Sequence, residues 1–178
     1  AHPHMDREGL KRQGGIPIKG RGSVAAICEV VREAASRTPP GEWIVTMPLE
    51  LGPKDGMPFY VSAPDEIEDG RFPNRRDLDK AAPDHPVLIR GVWGWWSKPP
   101  YPSVANSRAL DQAGIDRNTP APYQAEIVKD AAGEPTGVML EFNRAPILEY
   151  TILRCVPRFT FEDRIAAARA APRLYNAF

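Results

Sequence analysis

The chain is short of the residues from which dedicated chemistry is usually built. It has three histidines and two cysteines in 178 residues, and none of them falls in an HExxH, CxxC or HxxxH spacing. A complete zinc site written in one local motif is therefore excluded. No apolar run approaches the ~18 residues of a membrane-spanning helix, so no membrane partner is expected. No basic-then-apolar leader opens the sequence. An excess of one charge is also missing, because 23 Lys and Arg balance 23 Asp and Glu. A nucleic-acid or other polyanion binder needs a basic surplus or stripe to neutralise phosphates, and this balance argues against one. Cys28 and Cys155 both lie within apolar patterns. The expectation is two buried, reduced thiols in a cytoplasmic protein.

What the chain has in plenty is proline, 20 of 178 residues, roughly twice the usual ~5%. Many element junctions and few long uninterrupted helices should follow. The length fits one domain or a piece of a larger one.

The opening run Ala1-His2-Pro3-His4-Met5-Asp6 is the most chemically suggestive. In extended backbone, side chains alternate, so His2 and His4 would point to the same side. Neutral imidazoles so placed can share one divalent metal, and their borderline-soft nitrogens suit zinc. Asp6 is close enough to orient one ring. Two ligands do not complete a catalytic site, which needs three protein ligands and an open position. The same run could equally be a surface turn.

The residues from Met5 to Gly22 are rich in glycine and basic side chains, but they lack the order of a phosphate-binding loop and read as a long loop. Ser23 should cap a helix to about Arg37, with Val24, Ile27, Cys28, Val31 and Ala35 forming one apolar stripe. Trp43–Met47 follows as a short buried strand. The helix–turn–strand unit fits a repeating α/β layout with a parallel sheet. Pro48 to Phe72 reads as an irregular excursion, and Asp65, Glu66, Glu68 and Asp69 within it as a solvated acidic turn. Asn74 should cap a short helix through Ala82. Val87–Trp93 is the strongest strand, apolar enough to be buried on both faces. Trp93, Trp95 and Trp96 at its carboxyl end would line a pocket mouth or pack in the core. A helix is expected over Val104–Ala113, stopped by Gly114. Gln124–Asp130 and Thr136–Glu141 should form a hairpin ending near Glu141, which either faces a site at the hairpin's end or, the preferred reading, is salt-bridged or solvated. Helices over Pro146–Arg154 and from Phe161 to about Asn176 complete the reading. The last of these turns Ile165, Ala168 and Leu174 inward.

Several phrases, in this order, resemble the YtcJ-type amidohydrolases of amidohydrolase family 3, a branch that includes N-substituted formamide deformylases. They are Arg71-Phe72-Pro73-Asn74-Arg75-Arg76-Asp77-Leu78, Pro83-Asp84-His85-Pro86-Val87-Leu88-Ile89-Arg90, Asn106-Ser107-Arg108-Ala109-Leu110 with Ala113-Gly114-Ile115, and Gly133-Glu134-Pro135-Thr136-Gly137 running on to Glu141. The resemblance covers most of residues 1–178 and places His2 and His4 where the family carries its HxH metal pair.

The implied fold is a partial metal-dependent hydrolase (β/α)8 barrel of the α/β class: first strands, an inserted α/β region and a β-hairpin. The whole of 1–178 would belong to one catalytic barrel, cut at both ends. The family's other ligands, a carboxylated lysine, two histidines and an aspartate, would sit on later strands. The implied activity is hydrolysis of a non-peptide amide or related C–N bond of a small-molecule substrate by metal-activated water. No catalytic residue beyond the ligands is expected within the chain, which alone should be inactive. Where many relatives have a histidine in "GHAAWVNS", this chain has Trp93, Trp95 and Trp96, implying a more aromatic pocket. Asn106 joins them as a residue lining or shaping it. A homo-oligomer is compatible with this reading. The competing reading is a non-catalytic small-molecule-binding or degenerate module.

Overall fold

The computed structural model describes residues 10, 15–54, 57–92 and 98–175. His2, His4, Trp93, Trp95 and Trp96 lie outside the described residues. Helix α1 (Val24–Ala35) starts where Ser23 Oγ accepts the Ala26 N–H at 3.2 Å. Its buried stripe is Val24, Ile27, Cys28 and Val31. The expected acidic turn contributes a second cap, because Asp69 Oδ2 accepts the Val24 N–H at 2.7 Å. Glu66 Oε2 likewise accepts the N–H groups of Ser62 and Ala63. Two of the four carboxylates therefore satisfy backbone donors that a helix or turn start leaves open.

Strand β1 (Ile16–Lys19) pairs in parallel with β2 (Ile44–Lys54), and β3 (Met57–Tyr60) folds back antiparallel on β2. The excursion expected over Pro48–Phe72 is thus largely strand. Prolines hid it. Pro53 faces Pro58 across the β2–β3 pair, and a residue without N–H fits a ladder only at its edge or ends. A 3-10 turn at Pro64–Glu66 follows, then α2 (Arg75–Ala81). The α2 start is a reciprocal cap: Asn74 Oδ1 accepts from Arg76 and Asp77, and Asp77 Oδ2 accepts the Asn74 N–H.

Strand β4 (Val87–Ile89) runs parallel to β2. Val87 and Ile89 join the apolar cluster of α1 and α2, whereas Leu88 joins the opposite cluster with Leu110, Ile127, Met139 and Leu148. Both faces are buried, as expected for this run. A strand absent from the sequence reading follows: β5 (Tyr101–Ala105), antiparallel to β4 and buried throughout. Helix α3 (Ser107–Ala113) accordingly begins after Asn106, not at Val104. Pro102 lies beyond the two β4–β5 pairs, Leu88 with Ala105 and Ile89 with Val104, so its missing N–H breaks no bond to β4.

Strands β6 (Ala125–Lys129) and β7 (Pro135–Glu141) form the hairpin, with Asp130 Oδ1 accepting the Ala132 and Glu134 N–H groups in the turn. The order across the seven-stranded sheet is β1-β2-β4-β5-β7-β6, with β3 beside β2. The sheet is mixed, not parallel. Because β5 is antiparallel to both β4 and β7, β7 runs with β1, β2 and β4.

Helix α4 (Ile147–Tyr150) is a single turn where a longer helix was expected. Helix α5 (Phe161–Tyr175) opens on a reciprocal Thr160–Asp163 cap. It buries Ala167 and Ala171, while Ala168 is exposed. Cys155 is exposed, correcting the expectation of two buried thiols; Cys28 is buried, and that burial raises its pKa. Among the described residues no helix is long and apolar enough to cross a membrane.

Gly137 fixes where β7 meets β5 and α2. Its φ is +92°, and a Cβ there would lie 2.2 Å from the Ala105 carbonyl oxygen and 2.9 Å from the Arg75 backbone nitrogen. Backbone atoms cannot yield to that overlap. Gly137→Ala should cost about 3 kcal/mol or more, combining left-handed strain with overpacking, measured as a lowered urea midpoint.

Candidate functional site

In sheets of this kind, ligands collect at the carboxyl ends of the parallel strands. Here that end carries three of the six buried polar side chains among the described residues: Arg90 just past β4, Ser103 on β5 and Glu141 closing β7, all at most 5% exposed. Arg90 directly follows the apolar run Val87-Leu88-Ile89, so strand geometry carries a guanidinium into the interior. There it must find a counter-charge, because a buried unpaired ion is costly. Its Nε donates to Glu149 Oε1 at 2.9 Å, one terminal nitrogen donates to the Pro157 carbonyl at 2.9 Å, and the Phe159 ring lies 5.3 Å from the guanidinium carbon. The segment from α4 to Phe159 is thus fastened to the end of β4. Leu148, Leu153 and Val156 seat it on the core.

Glu141 is fastened to the same segment differently. Its Oε1 accepts the Leu148 N–H at 2.9 Å, and the Ile147 N–H also faces it. Its other oxygen lies 3.4 Å from where a Gly91 Cβ would stand, and Ser103 Oγ would be 2.8 Å from that same point. Glycine at 91 therefore leaves the carboxyl and hydroxyl room to approach the chain two residues before Trp93. Desolvation by burial pushes the Glu141 pKa up to about 7, and the nearby Glu149 charge adds to this against the two backbone N–H groups. Glu141 was expected to be salt-bridged or solvated. It is neither.

Asn106 is fully buried at the start of α3. Its Oδ1 accepts the Val87 and Ala109 N–H groups at 2.9 and 3.0 Å, and its Nδ2 donates to the His85 carbonyl at 2.8 Å. The side chain joins β4 to α3, so it acts on any pocket by holding the strand. His85 is buried with its Nδ1 3.1 Å from the Glu42 carbonyl, which requires a proton on that nitrogen. Among the described residues no three His, Cys, Asp or Glu side chains converge on one point. The described residues therefore do not hold a metal by themselves.

The profile of the amidohydrolase family matches residues 1–178, the whole chain. The chain belongs to that family. It is 33% identical over 115 residues to the N-substituted formamide deformylase of Arthrobacter pascens, covering 65% of this chain and 18% of that protein. It is 31% identical over 157 residues to YtcJ of Bacillus subtilis (strain 168), named as a candidate amidohydrolase, covering 88% of this chain and 25% of that protein. The chain thus spans a quarter or less of the length of these two relatives. Uncharacterised metal-dependent hydrolases from Pyrococcus furiosus and Pyrococcus horikoshii OT3 superpose on 99% of the chain, with TM-scores of 0.51 and 0.52. Their identities are 20% and 18%, and the superposed parts are 29% and 28% of those chains. This likeness establishes the fold relationship.

The sequence reading missed the Arg90–Glu149 pair and the burial of Glu141. A charge ending an apolar strand was the available signal for Arg90. Nothing local marked Glu149 as its partner, 59 residues on.

The raised Glu141 pKa has a consequence for stability. The folded chain keeps this proton up to about pH 7, whereas an unfolded glutamate loses it near 4.3. Between these values the folded state binds more protons, so stability falls as pH rises and levels off above 7. Glu141→Gln removes the dependence. Its stability should match the parent at pH 4.5 and exceed it at pH 8 by on the order of 3 kcal/mol, read from urea unfolding at the two pH values.

Proposed function

We propose that this chain forms part of a metal-dependent amidohydrolase that hydrolyses a non-peptide amide or related C–N bond of a small-molecule substrate. The observation that carries the reading is the family match along the whole chain, which takes in His2-Pro3-His4. The hydrolytic class follows from the family, and the formamide deformylase relative points towards C–N substrates. His2 and His4 are the residues of this chain that would hold a divalent metal, zinc by the character of two imidazole ligands. Such a metal supplies Lewis-acid activation of water and of a carbonyl. Completion of the ligand set falls to residues beyond those described.

The chain's own contribution is a walled, partly apolar environment. Trp93, Trp95 and Trp96 follow directly on Arg90-Gly91-Val92 and would supply flat apolar walls for the substrate, excluding water. Asn106 holds β4 to α3. Glu141, packed against Gly91, keeps its proton close to neutral pH and so adds no charge to this end of the sheet.

The test begins by sequencing the gene region across both ends of this chain and expressing the reading frame found. Formate release from N-substituted formamides and metal content are then followed before and after chelation. His2→Ala and His4→Ala should each lower kcat/KM by about 100-fold or more and reduce bound metal. Activity that survives both substitutions, or that is indifferent to chelation, would refute the proposal.

A further inference from the structure

Away from the carboxyl ends of the strands, the opposite face of the β6–β7 hairpin carries a groove of about 620 Å3 between the hairpin and the first turn of α2. Its floor is apolar, with Phe72, Val138 and Leu140. One wall is cationic. Arg71 is already held by Asp77 in a two-pronged pair; the side chains of Arg75 and Arg76 make no close ion pair among the described residues, and their charges act on Asp130 across the groove. The other wall is β6, from which Glu126, Val128 and Asp130 line the groove. A cationic wall facing an acidic wall across an apolar floor is self-complementary, because a two-fold rotation sets each wall against its opposite.

We propose that this groove is a contact surface between two copies of the chain. Arg75 and Arg76 of one copy would meet Glu126 and Asp130 of the other, twice over, around Val128 and Leu140. The charges also decide how the copies meet. Strand β6 is the last in the sheet order, so its outer edge could pair with a second β6. Antiparallel pairing centred on Val128 would set Glu126 against Asp130 at both ends, and like charges opposed across strands are destabilising. Face-to-face docking has no such conflict. A patch built on one groove is at the small end of specific interfaces, so a dissociation constant of order 10 µM is expected. The inference does not depend on the hydrolytic reading.

Sedimentation equilibrium of the full reading frame that contains this chain, from roughly 1 to 200 µM, tests it. The average mass should rise from that of one polypeptide towards twice that value. The association should weaken as salt goes from about 50 to 500 mM. The double variants R75E/R76E and E126R/D130N should each associate at least about tenfold more weakly. Asparagine at 130 preserves the oxygen that the β6–β7 turn uses. An equimolar mixture of the two variants should recover the dimer, because each now offers walls opposite in sign to the other's, and this recovery also shows that both are folded. A monomer at every concentration, a dimer unaffected by salt, a variant that dimerises like the parent, or a mixture that stays monomeric would each overturn the proposal.

Discussion

One guanidinium organises the carboxyl end of this sheet. Arg90 is carried inward by β4, and Glu149 takes the ion pair at 2.9 Å. Glu141 holds the same segment through backbone N–H donors alone and has the Glu149 charge nearby, so burial prevails and its pKa rises to about 7. Breaking a buried pair by removing one partner typically costs about 3–5 kcal/mol, since the remaining charge is uncompensated. The segment from α4 to Phe159 therefore has two polar fastenings of different kinds. One is a charge pair. The other is a carboxyl that changes charge near pH 7.

The sequence reading succeeded where side-chain chemistry acts over a few residues. Ser23 and Asn74 each cap the helix they were expected to cap, and Gly114 stops α3 with a φ of +66°. The hairpin was legible from two alternating runs around a glycine turn. The reading failed where proline masked a strand. Pro48, Pro53, Pro58 and Pro102 made β2's second half, β3 and β5 look like loop, yet Pro53 and Pro58 sit where β2 and β3 have only each other as partners, and Pro102 lies beyond the β4–β5 pairs. Edge status is a tertiary fact, invisible in a local window. The same holds for Arg90 and Glu141, whose partners arrive from elsewhere in the chain.

Asn106 illustrates how a family phrase can be read at two levels. Its occurrence in an Asn-Ser-x-Ala-Leu run suggested a pocket residue. In the fold it spends its oxygen on two backbone donors and its nitrogen on the His85 carbonyl. Substituting alanine would leave buried groups of β4 and α3 without partners, each costing about 1–3 kcal/mol. A residue can therefore belong to a functional phrase because it holds the strand that bears the functional ones.

Strand β7 ties the two surfaces of the molecule together through its period of two. Val138 packs in the α1–α2 cluster with Leu140 against it, and both line the arginine-walled groove. Met139 belongs to the opposite cluster, and Glu141 reaches Leu148 of that cluster. A one-residue slip of β7 would move the carboxyl of Glu141 to the groove and turn Val138 and Leu140 towards Arg90. Gly137 guards against it. At that position a Cβ would overlap both the Ala105 carbonyl and the α2 backbone, so any side chain arriving there by slippage would clash. The register that buries Glu141 beside Gly91 is the same one that presents Leu140 to the groove, and one glycine holds both.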